Sequence, residues 1–75
     1  MIGYSIHLSE LNKAGDRKNI GVRLGSHCIK RGISVAQIAE RFGVSRMTVY
    51  LWFKGETNPN PQLAKEIQRY IKRSR

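Results

Sequence analysis

Ser34-Val35-Ala36-Gln37-Ile38-Ala39-Glu40-Arg41-Phe42-Gly43-Val44-Ser45-Arg46-Met47-Thr48-Val49-Tyr50-Leu51-Trp52 holds two short helical patterns on either side of one glycine. Ser34 with Gln37 three residues later has the spacing of a capping box, so a helix starts here. Val35, Ile38, Ala39 and Phe42 fall on one face of it, and Gln37, Glu40 and Arg41 on the other. Gly43 stops that helix after about two turns, where the chain must turn left-handed and only a residue without a side chain does so easily. Ser45 is a good N-cap for a second helix running to about Lys54, which Gly55 closes. Ala39 is small enough for the second helix to cross close above it. Ile38, Phe42, Val44, Val49 and Trp52 are expected to point inward and set the angle between the two helices.

Outward from this pair, more helix follows on both sides. Ile20, Leu24 and Cys28 stand four apart after Asn19, with Val22 and Ile29 nearby, and Gly32 is placed as a C-cap. Gly21 and Gly25 weaken that helix by up to about 1 kcal/mol each relative to Ala, or mark places where another helix comes close. Beyond Gly55, Asn58-Pro59-Asn60-Pro61 is a loop in which Asn60 suits an N-cap and Pro61 the first helical position. Leu63, Ile67 and Ile71, with Ala64 and Tyr70, then give an apolar stripe. Lys65, Arg69, Lys72, Arg73 and Arg75 make the rest of that helix basic.

Residues 1–18 are the least legible. Tyr4, Ile6 and Leu8 alternate with Ser5, His7 and Ser9, the period of a short strand or extended arm, while Ser9 to Lys13 could equally begin a helical turn. The expectation is an all-α domain over residues 19–75, with four helices (five if the Ser9–Lys13 turn forms), preceded by an N-terminal arm or short strand over residues 1–18.

Charge narrows the partners. The chain has 75 residues, enough for one domain with a modest core, and 14 Lys and Arg against five Asp and Glu leave a net charge of +9. So one-sided a balance on so small a surface favours polyanions, nucleic acid before anionic membrane, and exceeds what solubility requires. Cys28 is the one cysteine, which excludes an intramolecular disulfide and suits a reducing compartment and a small core residue. No apolar run approaches the roughly 20 residues that span a bilayer. The first residues lack a basic end followed by an apolar stretch, so the expected location is the cytoplasm. His7, His27 and Cys28 form no metal motif, and no carboxylate pair or Cys-His-Asp set has suggestive spacing. No metal, cofactor or catalytic residue is therefore expected.

The Gln37-Ile38-Ala39 of the first motif helix, the Gly43-Val44-Ser45 turn, Val49 and Trp52, and the later Lys54-Gly55 with Pro59 together resemble the helix-turn-helix family of phage repressors and Cro-like regulators (XRE-type), over about Asn19 to Ile71. The chain departs from that family in carrying Phe53, where a hydrophilic residue usually follows the tryptophan, and in its residues 1–18. The resemblance implies a lambda-repressor-like domain that binds double-stranded DNA as a transcriptional regulator, a repressor in the first reading, in a bacterial cell or phage-infected host. It makes Ser45–Lys54 the recognition helix in the major groove. Ser45, Arg46, Met47, Thr48, Tyr50 and Leu51 are then the base-contact candidates. Arg46 offers two donors to a guanine or a clamp to a phosphate, and Met47 and Leu51 suit thymine methyl groups. Ser34, Gln37, Arg23, Lys30, Arg41, Lys54, Thr57 and Asn58 are the phosphate candidates. Ala39, Gly43, Val44, Val49 and Trp52 hold the motif together.

A homodimer on a palindromic operator is expected, meeting through the Tyr4-Ile6-Leu8 arm or the last helix. The rival reading is an antitoxin or accessory phage-type factor that holds a protein partner as well as DNA. Membrane-surface binding by the last helix is disfavoured, because its apolar face is narrow and needed by the core.

Overall fold

The computed structural model describes residues 6–16 and 18–73, with backbone alone for Ile6 and His7. Five helices follow in order: α1 Ile6–Ala14, α2 Ile20–Arg31, α3 Val35–Phe42, α4 Arg46–Lys54 and α5 Pro61–Arg73. No strand occurs among the described residues.

Local chemistry sets the ends of these helices. Asn19 caps α2, its side chain accepting from the Gly21 and Val22 amides. Ser34 and Gln37 form the full capping box of α3, and Ser45 accepts from the Thr48 amide to cap α4. Asn60 does the same for α5, its side chain accepting from the Leu63 amide at 2.9 Å. Gly32, Gly43 and Gly55 all take φ between 67° and 82° and terminate α2, α3 and α4. Each is followed by a residue whose amide reaches back to the helix: Ile33 to the Cys28 carbonyl, Val44 to Ala39 and Glu56 to Leu51. These paired backward bonds satisfy carbonyls that a helix end leaves open.

The first element, α1, differs from expectation. Ile6 and Leu8 lie in a helix, not in a strand or extended arm; Tyr4 lies outside the described residues. A three-residue alternation is too short to outvote a helical seat. From Leu8 onward the buried or half-buried positions are Leu8, Ser9, Leu11, Asn12 and Gly15, and Leu8, Leu11, Asn12 and Gly15 follow helical spacing. Leu8 is buried in the core, so it is not free to meet a second subunit.

α4 is central. It packs against α1, α2 and α3, while α5 closes the other side of α2. The core comprises Leu8, Leu24, Cys28, Val35, Ile38, Ala39, Val49, Trp52, Phe53 and Ile67, with Phe42, Val44, Leu63, Tyr70 and Ile71 packed around it. Two glycines let α2 approach α4: a Cβ on Gly21 would lie 2.8 Å from the Trp52 carbonyl oxygen, and one on Gly25 would lie 2.9 Å from the Phe53 ring. Phe53, which the family pattern does not anticipate, therefore fills the space Gly25 leaves.

Burial pushes the Cys28 thiol up to about 12. The thiol stays protonated at any ordinary pH and is a poor nucleophile. Native protein is expected to resist alkylation at mildly alkaline pH and to react quickly in denaturant, as mass spectrometry would show. Native labelling at the rate of an unfolded thiol would contradict the burial.

Candidate nucleic-acid interface

The buried residues of α4 are Val49, Trp52 and Phe53. At about 100° per residue these three share one side, and Met47 lies nearly opposite their centre, flanked by Lys54, Leu51 and Tyr50. Exposure follows that geometry. Met47 is 65% exposed and Tyr50 40%, and they are the exposed large hydrophobics of the described surface. Arg46 and Ser45 are exposed, whereas Thr48, Leu51 and Lys54 are half-buried. Tyr50 thus faces outward and is not a lid on the core. The centre of the outward ridge is Met47, with Arg46 at its leading edge.

Nothing on α4 is acidic; its sequence carries Arg46 at the start and Lys54 at the end. The Lys54 ammonium lies 2.8 Å from the Glu56 carboxylate. Both groups are partly open to water, so this pair is worth little and exchanges readily for a phosphate. The hydroxyls of Ser45 and Thr48 lie 2.9 Å apart, and Ser45 Oγ also accepts from the Thr48 amide at 3.1 Å. One hydroxyl proton of the pair is used between them, which leaves one to donate outward.

The start of α3 is built similarly. Ser34 Oγ accepts from the Gln37 amide at 3.1 Å, and Gln37 Oε1 accepts from the Ser34 amide at 2.9 Å. The box does not use Gln37 Nε2, and the amides of Val35 and Ala36 belong to the first turn, whose dipole favours an anion.

The remaining candidates divide. Arg23 and Lys30 are exposed on α2, seven residues apart and so on the same side of it. Lys30 shares a cleft of about 380 Å³ with Ser9, Asn12 and Lys13 of α1. Asn58 Oδ1 accepts from Asn19 Nδ2, which ties the loop after α4 to the cap of α2; Thr57 beside it is exposed. Arg41 stands apart. Its guanidinium carbon lies 5.3 Å from the centre of the Tyr70 ring, and it lines a cleft with Glu66, Arg69 and Arg73 of α5. That contact orients Arg41 toward α5.

The structure also supplies polar residues that sequence reasoning missed. Asn19 stands where the helical pattern begins and carries the Asn cap signal. Asn12 carries no such signal: it is 2% exposed, and its partners are main-chain atoms far along the chain.

His27 does not assist Cys28 toward chemistry. Burial first, and Arg31 second, hold the His27 pKa below its ordinary value, while the Cys28 value moves up. An activated thiolate–imidazolium pair needs the opposite shift at the thiol. Among the described residues no helix is long and apolar enough to cross a membrane.

A family model described as helix-turn-helix matches residues 28–75. No curated protein and no solved structure matches the chain. The matched segment starts within α2 and takes in α3, the Gly43 turn, α4 and α5. All of α1 lies outside it.

Proposed function

The chain belongs to the helix-turn-helix family of phage-repressor and Cro-like DNA-binding regulators, and from that membership we propose that it is a sequence-specific repressor that reads DNA with α4 in the major groove. The observation that carries the reading is the outward ridge of α4, where Met47 and Tyr50 stand exposed beside Arg46 on a helix without a carboxylate. Large apolar side chains held in water on a cationic helix have an evident use against base edges, with Met47 on a thymine methyl and Arg46 bidentate on a guanine.

Phosphate contacts come from the first turn of α3 with Ser34 and Gln37, and from Lys54, Thr57, Asn58, Arg23 and Lys30. Arg41 contributes only if it leaves Tyr70. These contacts hold register and supply affinity that falls with salt. One domain of this size buries little DNA surface, so the proposal includes a homodimer on two half-sites about one helical turn apart.

Selection of bound duplexes from a random pool tests this directly. A two-fold symmetric consensus is the expected product; recovery of sequences no different from the input would refute base reading. On the selected site, Arg46→Ala is expected to lower discrimination by about 1–3 kcal/mol at one base pair. Lys30→Ala should weaken all duplexes alike and reduce the salt slope by about one. Unchanged affinity in both variants at moderate salt would show that another face meets DNA.

A further inference from the structure

Asn12 of α1 holds the end of the helix proposed to read DNA. Its Nδ2 donates to the Phe53 carbonyl of α4 at 2.8 Å and to the Val22 carbonyl of α2 at 3.0 Å. An amide nitrogen has two protons, and both are used here. The acceptor on α4 lies in the last turn of the helix, one residue before its end. Leu51 and Trp52, the two carbonyls before it, receive the Glu56 and Gly55 amides at 3.0 Å each. Beside these two closures, the polar side chain from α1 ties the Phe53 carbonyl to a different part of the fold. Gly25 makes the room, because a Cβ there would collide with Asn12 Nδ2.

We propose that Asn12 is a positioning residue for DNA discrimination: α1 sets the seat of α4, and through it the place of Arg46 and Met47 in the groove. The inference rests on the reading of α4 as the base-contacting helix. α4 has nine residues, about 13 Å, and is gripped by its buried side. A short rigid helix displaced by about 1 Å at Phe53 rocks, and its first turn moves by a comparable distance. Base-edge hydrogen bonds hold their geometry within a few tenths of an ångström, so that movement removes them. Phosphate contacts from long, flexible side chains follow the shift and survive. All of α1, Asn12 included, lies outside the family match at residues 28–75.

The test compares wild type with Asn12→Ala, both shown by circular dichroism to be fully folded at the measuring temperature. Affinity is measured for the selected duplex and for a scrambled duplex of the same length. The ratio of the two affinities is expected to fall about tenfold or more, the scale of one good base contact, with the scrambled duplex bound as before. A variant with a lower melting temperature and an unchanged ratio would mean that Asn12 only stabilises the fold, and the inference would be wrong while the DNA reading stood. A wild type that does not discriminate would remove both.

Should Asn12→Ala fail to fold, amide exchange on the wild type still decides. Slowly exchanging Asn12 side-chain protons and protection through the last turn of α4 are expected. Exchange there at the rate of an exposed amide would overturn the lock.

Discussion

Trp52→Ala is expected to leave the domain largely unfolded at physiological temperature. The indole is 2% exposed and lies where α4 meets the rest of the core, with the main chain beside it pressed against Gly21. Truncating a buried Trp to Ala removes about 3–5 kcal/mol, part of it transfer free energy and part the cavity left behind. At about 0.05–0.15 kcal/mol per residue, a chain of 75 residues has about 4–11 kcal/mol in total, and small domains sit toward the lower end. The loss therefore matches most of what is available. Denaturant titration followed by far-UV circular dichroism checks this, since the change removes the fluorophore. A midpoint close to wild type would mean that the neighbouring residues collapse into the space and that the core is less constrained than its burial implies.

Gly25→Ala is the second large effect, and its size comes from tertiary contact. The added methyl would meet Asn12 Nδ2, and Phe53 Cγ at 2.9 Å and Cβ at 3.0 Å. Phe53 is fully buried and cannot swing aside, so the strain of overpacking is about 1–3 kcal/mol. Displacing Asn12 instead takes its buried amide off the Val22 and Phe53 carbonyls, at about 1–3 kcal/mol more. Intrinsic helix propensity alone predicts the opposite sign, a gain of up to about 1 kcal/mol for Gly→Ala inside a helix.

Gly43→Ala is the useful comparison. A Cβ there meets nothing within 4 Å, and only the backbone, at φ 67°, objects. That left-handed position costs about 1–2 kcal/mol for a residue with a side chain. The order Gly25→Ala worse than Gly43→Ala, measured as unfolding midpoints, is the expected result. The reverse order would mean that α2 and α4 separate easily.

The two glycines show how much of the fold was legible. Gly32, Gly43 and Gly55 are legible as helix ends, and Ser34, Ser45 and Asn60 as starts, because each depends on atoms within a few residues of itself. The core of the motif was legible as well: Val49 and Trp52 are buried, and Val44 packs against them. On α4 the sequence offers Ser45, Arg46, Met47, Thr48, Tyr50 and Leu51 for base contact without ranking their exposure. In the structure Met47 dominates the outward ridge, Leu51 is partly withdrawn, and Thr48 is engaged with Ser45. Arg41 is a phosphate candidate by the resemblance, and the sequence does not disclose that its guanidinium lies over Tyr70, almost thirty residues on.

Local chemistry in the sequence is thus sufficient for five things: where helices 20–31, 35–42 and 46–54 begin and end and where helix 61–73 begins, which of their faces are apolar, the turn at Gly43, the basic character of the surface, and the resemblance that the family match bears out. Only the tertiary structure decided that residues 6–14 are helical, that Asn12 joins α1 to α2 and α4, that Gly25 and Phe53 fit one another, and that Arg41 lies on Tyr70. The physical reason is range. Caps and turns close within a few residues, so their residue types disclose them. A side-chain bond from Asn12 to a carbonyl 41 residues away exists only once packing has brought the two together, and no spacing in the chain foretells it.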